Sequence, residues 1–469
     1  MKNIKTKRSF ASRFIGDAAF YKMVLAVAVP IMIQNGITNF VGLLDNIMIG
    51  RIGTEQMSGA AIVNQLFFIY NLCIFGGVAG AGIFTAQYFG QKNMEGIRHT
   101  FRFKLWTGVC LTVLTAILFL TSGSLLISLY LKGEGSAADA AATLAYGKKY
   151  MYIMLLGLPA FMFSQIYSST LRECGETIIP MKAGILSVAV NLVFNYILIY
   201  GKFGAPALGV SGAAIATVLS RYVEALVISG WTHCHKEQFP FITHIYRSLK
   251  VPLKLTKKII VKGAPLLINE TLWSAGFAML TQCYSMRGLN VVAALQISNT
   301  IYNVFNVVFI AMGDAIAIIV GQYLGAGNLK KARDTDNKLI AFSVASCILI
   351  AAAMFFLAPL FPMLYKTDGA TRLLARYFIM ATAVFMPQNA FIHACYFTLR
   401  SGGKTIITFL FDSVFIWCVS VVFATILVRF TSLPVIAVYA LVQAADLIKC
   451  AIGFILVRKG TWMQNMVEE

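Results

Sequence analysis

Residues 233–257, HCHKEQFPFITHIYRSLKVPLKLTK, form the only long polar interruption in an otherwise apolar chain, and they fall at its middle. On either side, apolar runs recur at the length that crosses a bilayer, about 20 helical residues. Windows bounded by charge or by Gly and Pro clusters give twelve spans, at about 22–46, 57–85, 101–121, 145–170, 179–200, 208–232, 258–284, 291–321, 336–357, 373–398, 405–428 and 434–457. Six precede the interruption and six follow it. The sequence therefore predicts an all-α integral membrane protein of twelve transmembrane helices in two six-helix bundles. Its expected parts are a tail over 1–21, a lobe over 22–232, a linker over 233–257, a second lobe over 258–457 and a tail over 458–469.

Composition agrees. The chain is 469 residues long, 58% hydrophobic and only 12% charged, against roughly a quarter charged in soluble domains. A formal charge of +20 would suggest a nucleic-acid footprint in a soluble protein. Here the basic residues sort by side instead. Lys2, Lys5, Lys7, Arg8 and Arg13, then Lys92, Arg98, Arg102 and Lys104, then the linker, then Lys330, Lys331, Arg333 and Lys338 all fall on even-numbered sides. The opposite loops, around Arg51, Lys202, Arg287 and Arg429, carry few charges. The positive-inside rule then places both termini and the linker in the cytoplasm of a multi-pass cell-membrane protein, with the bilayer as partner and no nucleic acid. The first long apolar run begins only at Met23, so no cleaved signal peptide is expected. Nine cysteines lie scattered without CxxC or Cys/His ligand spacing, and read as small core residues rather than a disulfide or zinc framework. Gly402-Gly403-Lys404-Thr405 lacks the upstream glycine of a phosphate loop, Thr398 standing there, so nothing supports an ATP-driven pump.

The halves repeat. At a constant shift of 235 residues Lys22 meets Lys257, Pro30 meets Pro265, Gly53 meets Gly288, Asn64 meets Asn299, Asn71 meets Asn306, Gln87-Tyr88 meets Gln322-Tyr323, Gly90 meets Gly325, Asn93 meets Asn328 and Arg98 meets Arg333. Downstream the shift is 228, pairing Pro159 with Pro387, Leu171-Arg172 with Leu399-Arg400, Gly175 with Gly403, Thr177 with Thr405 and Pro206 with Pro434. Six crossings return each copy to its starting side, so the expected relation is a pseudo-two-fold along the membrane normal, with the substrate path between halves.

The run Asp45-Asn46-Ile47-Met48-Ile49-Gly50-Arg51-Ile52-Gly53, the Thr85–Gly90 segment with its twin Val320–Asn328, and Asn191–Gly204 together resemble the multidrug and toxic-compound extrusion (MATE) transporters. The resemblance covers nearly the whole chain. It implies a V-shaped pair of six-helix bundles, not an enzyme, that expels amphipathic, often cationic compounds in exchange for Na⁺ or H⁺. A monomer without a cofactor, apart from Na⁺ as coupling ion, is expected.

Ionisable groups at membrane depth are costly and mark function. Asp45 lies fifteen residues after Pro30, whose missing N–H loosens the helix, and it matches the acidic residue the family uses for cation coupling. A carboxylate partly shielded from water can take up and release a proton near neutral pH; with amide oxygens around it, it can bind Na⁺. The alternative is an interfacial carboxylate paired with Arg51. Asn191 and Asn195 share a helix face and match the family's polar pair, whose second member is Asp in one branch. They are the expected further cation ligands, or else bond neighbouring helices.

The substrate cavity is expected to draw on Gln34, Asn64, Glu270, Gln282, Tyr284, Gln296, Asn299, Tyr302, Asp314 and Asn389. Asn64 and Asn299 hold the same place in both repeats, with Gln65 and Asn303 near them. Glu270 resembles an acidic residue of another branch by helix rather than by position, and Asn389 stands where that branch has Asp. Asp314 either adds negative charge to the cleft or faces the cytoplasmic vestibule. Trp273, Tyr284, Tyr302 and Phe305 could stack on a flat cation. Asp412, Glu224 and Asp446 are expected to pair with Arg221 and Lys449. A flippase for lipid-linked precursors is the alternative function; it predicts a strongly basic central cavity, whereas the intramembrane charges are mostly acidic, and the buried acids and the repeat argue against a non-transporting scaffold.

Overall fold

The computed structural model describes residues 13–50, 52–131, 137–365 and 367–468. Arg51 and the tail cations Lys2, Lys5, Lys7 and Arg8 lie outside the described residues. The chain folds as helices α1 (Ala18–Gly50), α2 (Thr54–Gly90), α3 (Met94–Tyr130), α4 (Ala137–Leu155), α5 (Leu158–Glu173), α6 (Ile178–Tyr200), α7 (Val210–Cys234), α8 (Leu253–Ser285), α9 (Leu289–Phe305), α10 (Val307–Gly325), α11 (Leu329–Leu357), α12 (Gly369–Ser401), α13 (Thr405–Phe430), α14 (Val435–Ala445) and α15 (Leu447–Lys459). No strand occurs among the described residues.

Every predicted span falls on helix. Among the described residues ten helices are long and apolar enough to cross a membrane, eleven when the bent pair α4 and α5 counts as one span. The remaining window, 258–284, lies in α8, a continuous 33-residue helix whose apolar run is diluted by Lys258, Lys262, Asn269 and Glu270. Outward-facing side chains are apolar: Leu114 is 63% exposed, Leu226 68% and Leu349 75%. Patches of that kind need a lipid environment.

Three predicted spans are interrupted. The 145–170 window breaks between Leu155 and Leu158 with a 48° bend, where Pro159 sits in the first turn of α5 and has no N–H to continue the ladder. The 291–321 window breaks at Asn306, which closes α9 and opens α10. The last window breaks at Asp446. Within α13, Leu410–Val414 and Ile416–Val421 widen to π-helix, a form that recurs at functional sites.

The repeat matches have local causes. Asn93 and Asn328 cap α3 and α11: their side chains accept from Gly96 N at 2.9 Å and Lys331 N at 3.2 Å, filling donors that a helix start leaves orphaned. The residues before them, Lys92 and Gly327, take φ of 60° and 71°. Gly175 and Gly403, at φ 86° and 72°, close α5 and α12 with the same bonds, Glu176 N to Leu171 O and Lys404 N to Leu399 O, the left-handed ending that glycine permits.

Contacts divide the chain into two compact units, one of residues 33–85 and 93–267, the other of 1–32, 86–92 and 268–469. The first packs around Ile97, Phe101, Ile127, Met151 and Tyr167, all buried. The second has two cores. One gathers Val24, Ile31, Met312, Ile316, Leu324, Leu339 and Trp462; the other gathers Tyr284, Leu295, Met354, Phe378, Met386 and Val438.

Candidate functional site

In the unit of residues 33–85 and 93–267, three helices bring polar groups to one chain of hydrogen bonds. α6 places Asn191 and Asn195 one turn apart on a single face, and both are buried, at 4% and 1% exposure. Asn195 Nδ2 donates to Asp45 Oδ1 on α1 at 2.6 Å and to Asn191 Oδ1 at 3.0 Å. Asn191 Nδ2 in turn donates to Thr217 Oγ1 on α7 at 3.3 Å. The Asn195 Oδ1 oxygen is buried without a hydrogen-bond partner, and a buried orphan acceptor costs free energy unless a ligand or ion meets it.

Asp45 is half-buried, and Arg221 on α7 lies within electrostatic reach of it. Arg221 also meets Glu224 at 3.3 Å and stands 5.1 Å over the Phe161 ring. Tyr150 on α4 donates to Asn64 Oδ1 at 3.1 Å and shares the electrostatic field of Asp45. The sequence reading missed Tyr150 and Thr217 and saw Arg221 only as the partner of Glu224. No repeat match or charge marked the first two; the available signal was that Thr217 falls on α7 four residues before Arg221.

The second unit holds its own polar set. Asn269 on α8 is 2% exposed and donates to Asp412 Oδ2 in the π-helical stretch at 3.1 Å. Ser413 donates back to Asn269 O at 2.9 Å and Oδ1 at 2.7 Å. Lys449 reaches Asp412 Oδ1 at 3.6 Å, the pairing expected from sequence. Glu270 interacts electrostatically with Arg400 and Asp412, and Arg400 stands 5.1 Å from the Phe397 ring centroid. Asp412 and Glu270 thus have cationic neighbours, while Asp446 Oδ1 stays buried without a hydrogen-bond partner among the described residues; the reading from sequence counted chiefly the acids.

The other predicted residues distribute differently. Gln34 accepts from Arg172 Nη2 at 2.6 Å. Gln282 and Gln296 are exposed, and Asn299, Asp314 and Asn389 are half-buried. Tyr284 is buried, edge-on to Tyr439 at 5.5 Å, and Tyr302 packs against the same apolar core. Trp273 stacks on Phe277 at 5.9 Å. Among the predicted residues, direct side-chain hydrogen bonds join Asp45, Asn195 and Asn191.

The MatE family model matches residues 30–197 and 265–427, one stretch in each half of the chain. The chain belongs to the MatE family, the multidrug and toxic-compound extrusion transporters that its sequence resembles. MatE relatives extend over nearly its whole length. The probable multidrug resistance protein NorM of Thermotoga maritima is 24% identical over 452 residues, 95% of this chain and 94% of that protein. The probable multidrug resistance protein YoeA of Bacillus subtilis is 24% identical over 424 residues, 89% of each. Among solved structures, an outward-facing multidrug resistance MATE family transporter of the MOP superfamily matches with a TM-score of 0.85 at 21% identity, covering 96% of this chain and 97% of that one. A MOP superfamily transporter from Pyrococcus furiosus Vc1, described as having a binding pocket of reverse polarity, matches at 0.84 and 21% identity over 98% and 99%. The MatE chain is therefore a multi-pass membrane transporter with this fold, not an enzyme.

Proposed function

We propose that the protein is a secondary-active multidrug efflux antiporter that exports amphipathic, cationic compounds by alternating access in exchange for inward-moving Na⁺ or H⁺, with Asp45 as the coupling carboxylate. The observation that carries this reading is the bonded set Asp45, Asn195, Asn191 and Thr217, with one buried amide oxygen left unpartnered. Those groups fit a small cation: a carboxylate, two amide oxygens and a hydroxyl are hard oxygen donors, the type that alkali and alkaline-earth cations take. A proton needs only the carboxylate. The names of the relatives, multidrug resistance proteins, support drug compounds as cargo. The basic residues of the linker support cytoplasmic termini.

The test is drug exchange in proteoliposomes with a Na⁺ gradient and a pH gradient imposed separately. Asp45→Asn keeps the hydrogen bond to Asn195 but removes the charge. Gradient-driven exchange should fall by about tenfold or more, the scale of losing a charged hydrogen-bond partner, while the melting temperature in detergent stays close to wild type. Undiminished coupled exchange in this variant would refute the assignment. Gradient-independent movement of a lipid-linked pyrophosphate instead of drug would point to the flippase alternative.

A further inference from the structure

The linker is a folded element with one basic, exposed side. Arg98 of α3 donates from Nε to Phe241 O at 3.1 Å and from Nη2 to Pro240 O at 3.2 Å. Arg102, 7% exposed, donates to Ile245 O at 3.1 Å and His244 O at 3.2 Å. Trp106 Nε1 donates to Leu249 O at 3.0 Å, and the hydroxyls of Tyr167 and Tyr246 meet at 2.5 Å. Three side chains of one helix thus hold the linker backbone in place along α3.

What this clamp presents outward is cationic. Arg247, Lys250, Lys254, Lys257 and Lys258 are all exposed, and none forms an ion pair among the described residues. Glu237 is the only acid between residues 233 and 262. Lys254, Lys257 and Lys258 occupy the first two turns of α8, at spacings of three and four that put them on one face. Cations there oppose the helix dipole, whose positive end lies at the N-terminus, so an anion would relieve both. Beside them, Leu249 is 43% exposed, Leu253 82%, Ile260 52% and Val261 53%. Trp106, 51% exposed, has the amphipathic ring that marks the membrane–water interface. Lysines in the first two turns of α8, with Ile260 and Val261 the next exposed aliphatic side chains along it and Leu249 and Leu253 ahead of the lysines, match a phosphate headgroup and the start of its acyl chains.

We infer that Arg247, Lys250, Lys254, Lys257 and Lys258, with Leu249, Leu253 and Val261, form a binding surface for an anionic glycerophospholipid of the cytoplasmic leaflet. The inference rests on the cytoplasmic placement of the linker proposed above. Clusters of four or more basic residues just cytoplasmic of a spanning helix are attracted to that leaflet's negative surface, and the clamp fixes these ones before any lipid arrives.

The test uses the purified full chain in a non-ionic detergent, titrated with phosphatidylglycerol or phosphatidylcholine, with bound lipid counted by native mass spectrometry and melting followed in parallel. Phosphatidylglycerol should bind and raise the melting temperature; phosphatidylcholine should do neither. The triple variant K254Q/K257Q/K258Q should bind phosphatidylglycerol about tenfold more weakly or worse, with unchanged melting in detergent alone. Equal binding of the two lipids, or undiminished binding by the triple variant, overturns the proposal. Equal stabilisation by inorganic phosphate or by a poly-glutamate peptide overturns the lipid as occupant. Labelling of Lys236→Cys by an impermeant maleimide on intact cells, compared with wild type, tests placement separately: labelling only after permeabilisation supports the leaflet assignment, and labelling from outside removes it without touching the detergent result.

Discussion

Lys104 has no exposed side-chain surface, and its ammonium is held by Ser169 at 3.1 Å, Thr170 at 3.0 Å and Glu173 at 2.6 Å. Three oxygens, one of them the carboxylate counter-charge, replace the water it lost, which is what a buried ammonium requires. Lys104→Met would take this ammonium away from Glu173 beside Gly82, where even a methyl group would fall 2.3 Å from Glu173 Oε1. The expected cost is on the order of 3 kcal/mol, read as a lower melting temperature, and K104M/E173Q should recover much of it. If the double variant is no more stable than the single one, the pairing account is wrong. The sequence reading had assigned Lys104 to a cytoplasmic loop among its basic neighbours, because a lysine near a span's end looks topological until its partners, 65 to 69 residues away, come into view. The repeat makes the contrast sharper. Thr398, the counterpart of Thr170 at the 228-residue shift, donates instead to the buried Asp336 at 2.6 Å. One scaffold position thus serves a cation in one repeat and an anion in the other.

Elements were legible wherever the signal was local. Apolar length located the spans, and the repeated Asn93 and Asn328 proved to be caps, each accepting a first-turn N–H. The repeated Gly90 and Gly325 have a tertiary reason that no local pattern carries. A Cβ on Gly90 would lie 2.0 Å from the Gln322 carbonyl oxygen, and one on Gly325 would lie 1.9 Å from that of Gln87, so the ends of α2 and α10 meet backbone to backbone. Gln87, fully buried, secures the joint by donating to Ser401 O at 3.0 Å and Gln464 O at 3.2 Å and accepting from Met466 N at 2.7 Å. Backbone cannot yield as a side chain can, so Gly325→Ala should cost at least the 1–3 kcal/mol typical of overpacking, about 3 kcal/mol here; a melting temperature within a degree of wild type would contradict this contact. The helix breaks at Asn306 and Asp446 and the π-helical stretch of α13 were invisible, because apolar windows run through them unchanged. The cap of α12 allows a pH test. Asp368 Oδ2 accepts from Thr371 N at 3.0 Å, and hydrogen bonding by the Thr371 side chain, then by this and neighbouring backbone N–H groups, holds its carboxyl below the usual range. A lowered folded-state value means the contribution is present above the ordinary carboxylate range and is lost as pH falls through the lowered one. Asp368→Ala should therefore lower the melting temperature at pH 7, with the difference from wild type closing toward pH 3.

At the scale of the whole molecule, a repeated fold carries unrepeated chemistry. At the 235-residue shift Asp45 meets Leu280, and at the 228-residue shift Asn191 and Asn195 meet Val419 and Phe423, so the carboxylate and its amides occur once. The reverse also holds: Asp412 meets Gly184, while Lys449 meets Arg221 and Asn269 meets Gln34. In the second unit Asp412 lies against Lys449 at 3.6 Å, Glu270 has Arg400 and Asp412 as electrostatic neighbours, and Asp446 keeps a buried Oδ1 without a hydrogen-bond partner among the described residues; in the first, Asp45 has Arg221 as a cationic neighbour and the two amides, of which Asn195 turns a donor toward it and keeps a bare oxygen. Asp45, Asn191 and Asn195 were legible as polar residues on apolar helices that match the family's acidic residue and polar pair, but matching of acids to bases is a property of three-dimensional neighbours. The asymmetry separates two variants in one assay. Asp45→Asn should lower exchange driven by the cation gradient by about tenfold or more. Glu270→Gln removes a carboxylate that has Arg400 as a cationic neighbour, so gradient-driven exchange should persist, with the half-saturating concentration of a cationic drug raised on the order of fivefold, the worth of one partly screened charge. Proteoliposome exchange at several drug concentrations, with and without the gradient, distinguishes the two effects. A Glu270→Gln protein that still exchanges drug but ignores the gradient would move the coupling group into the second unit and leave Asp45 a structural carboxylate.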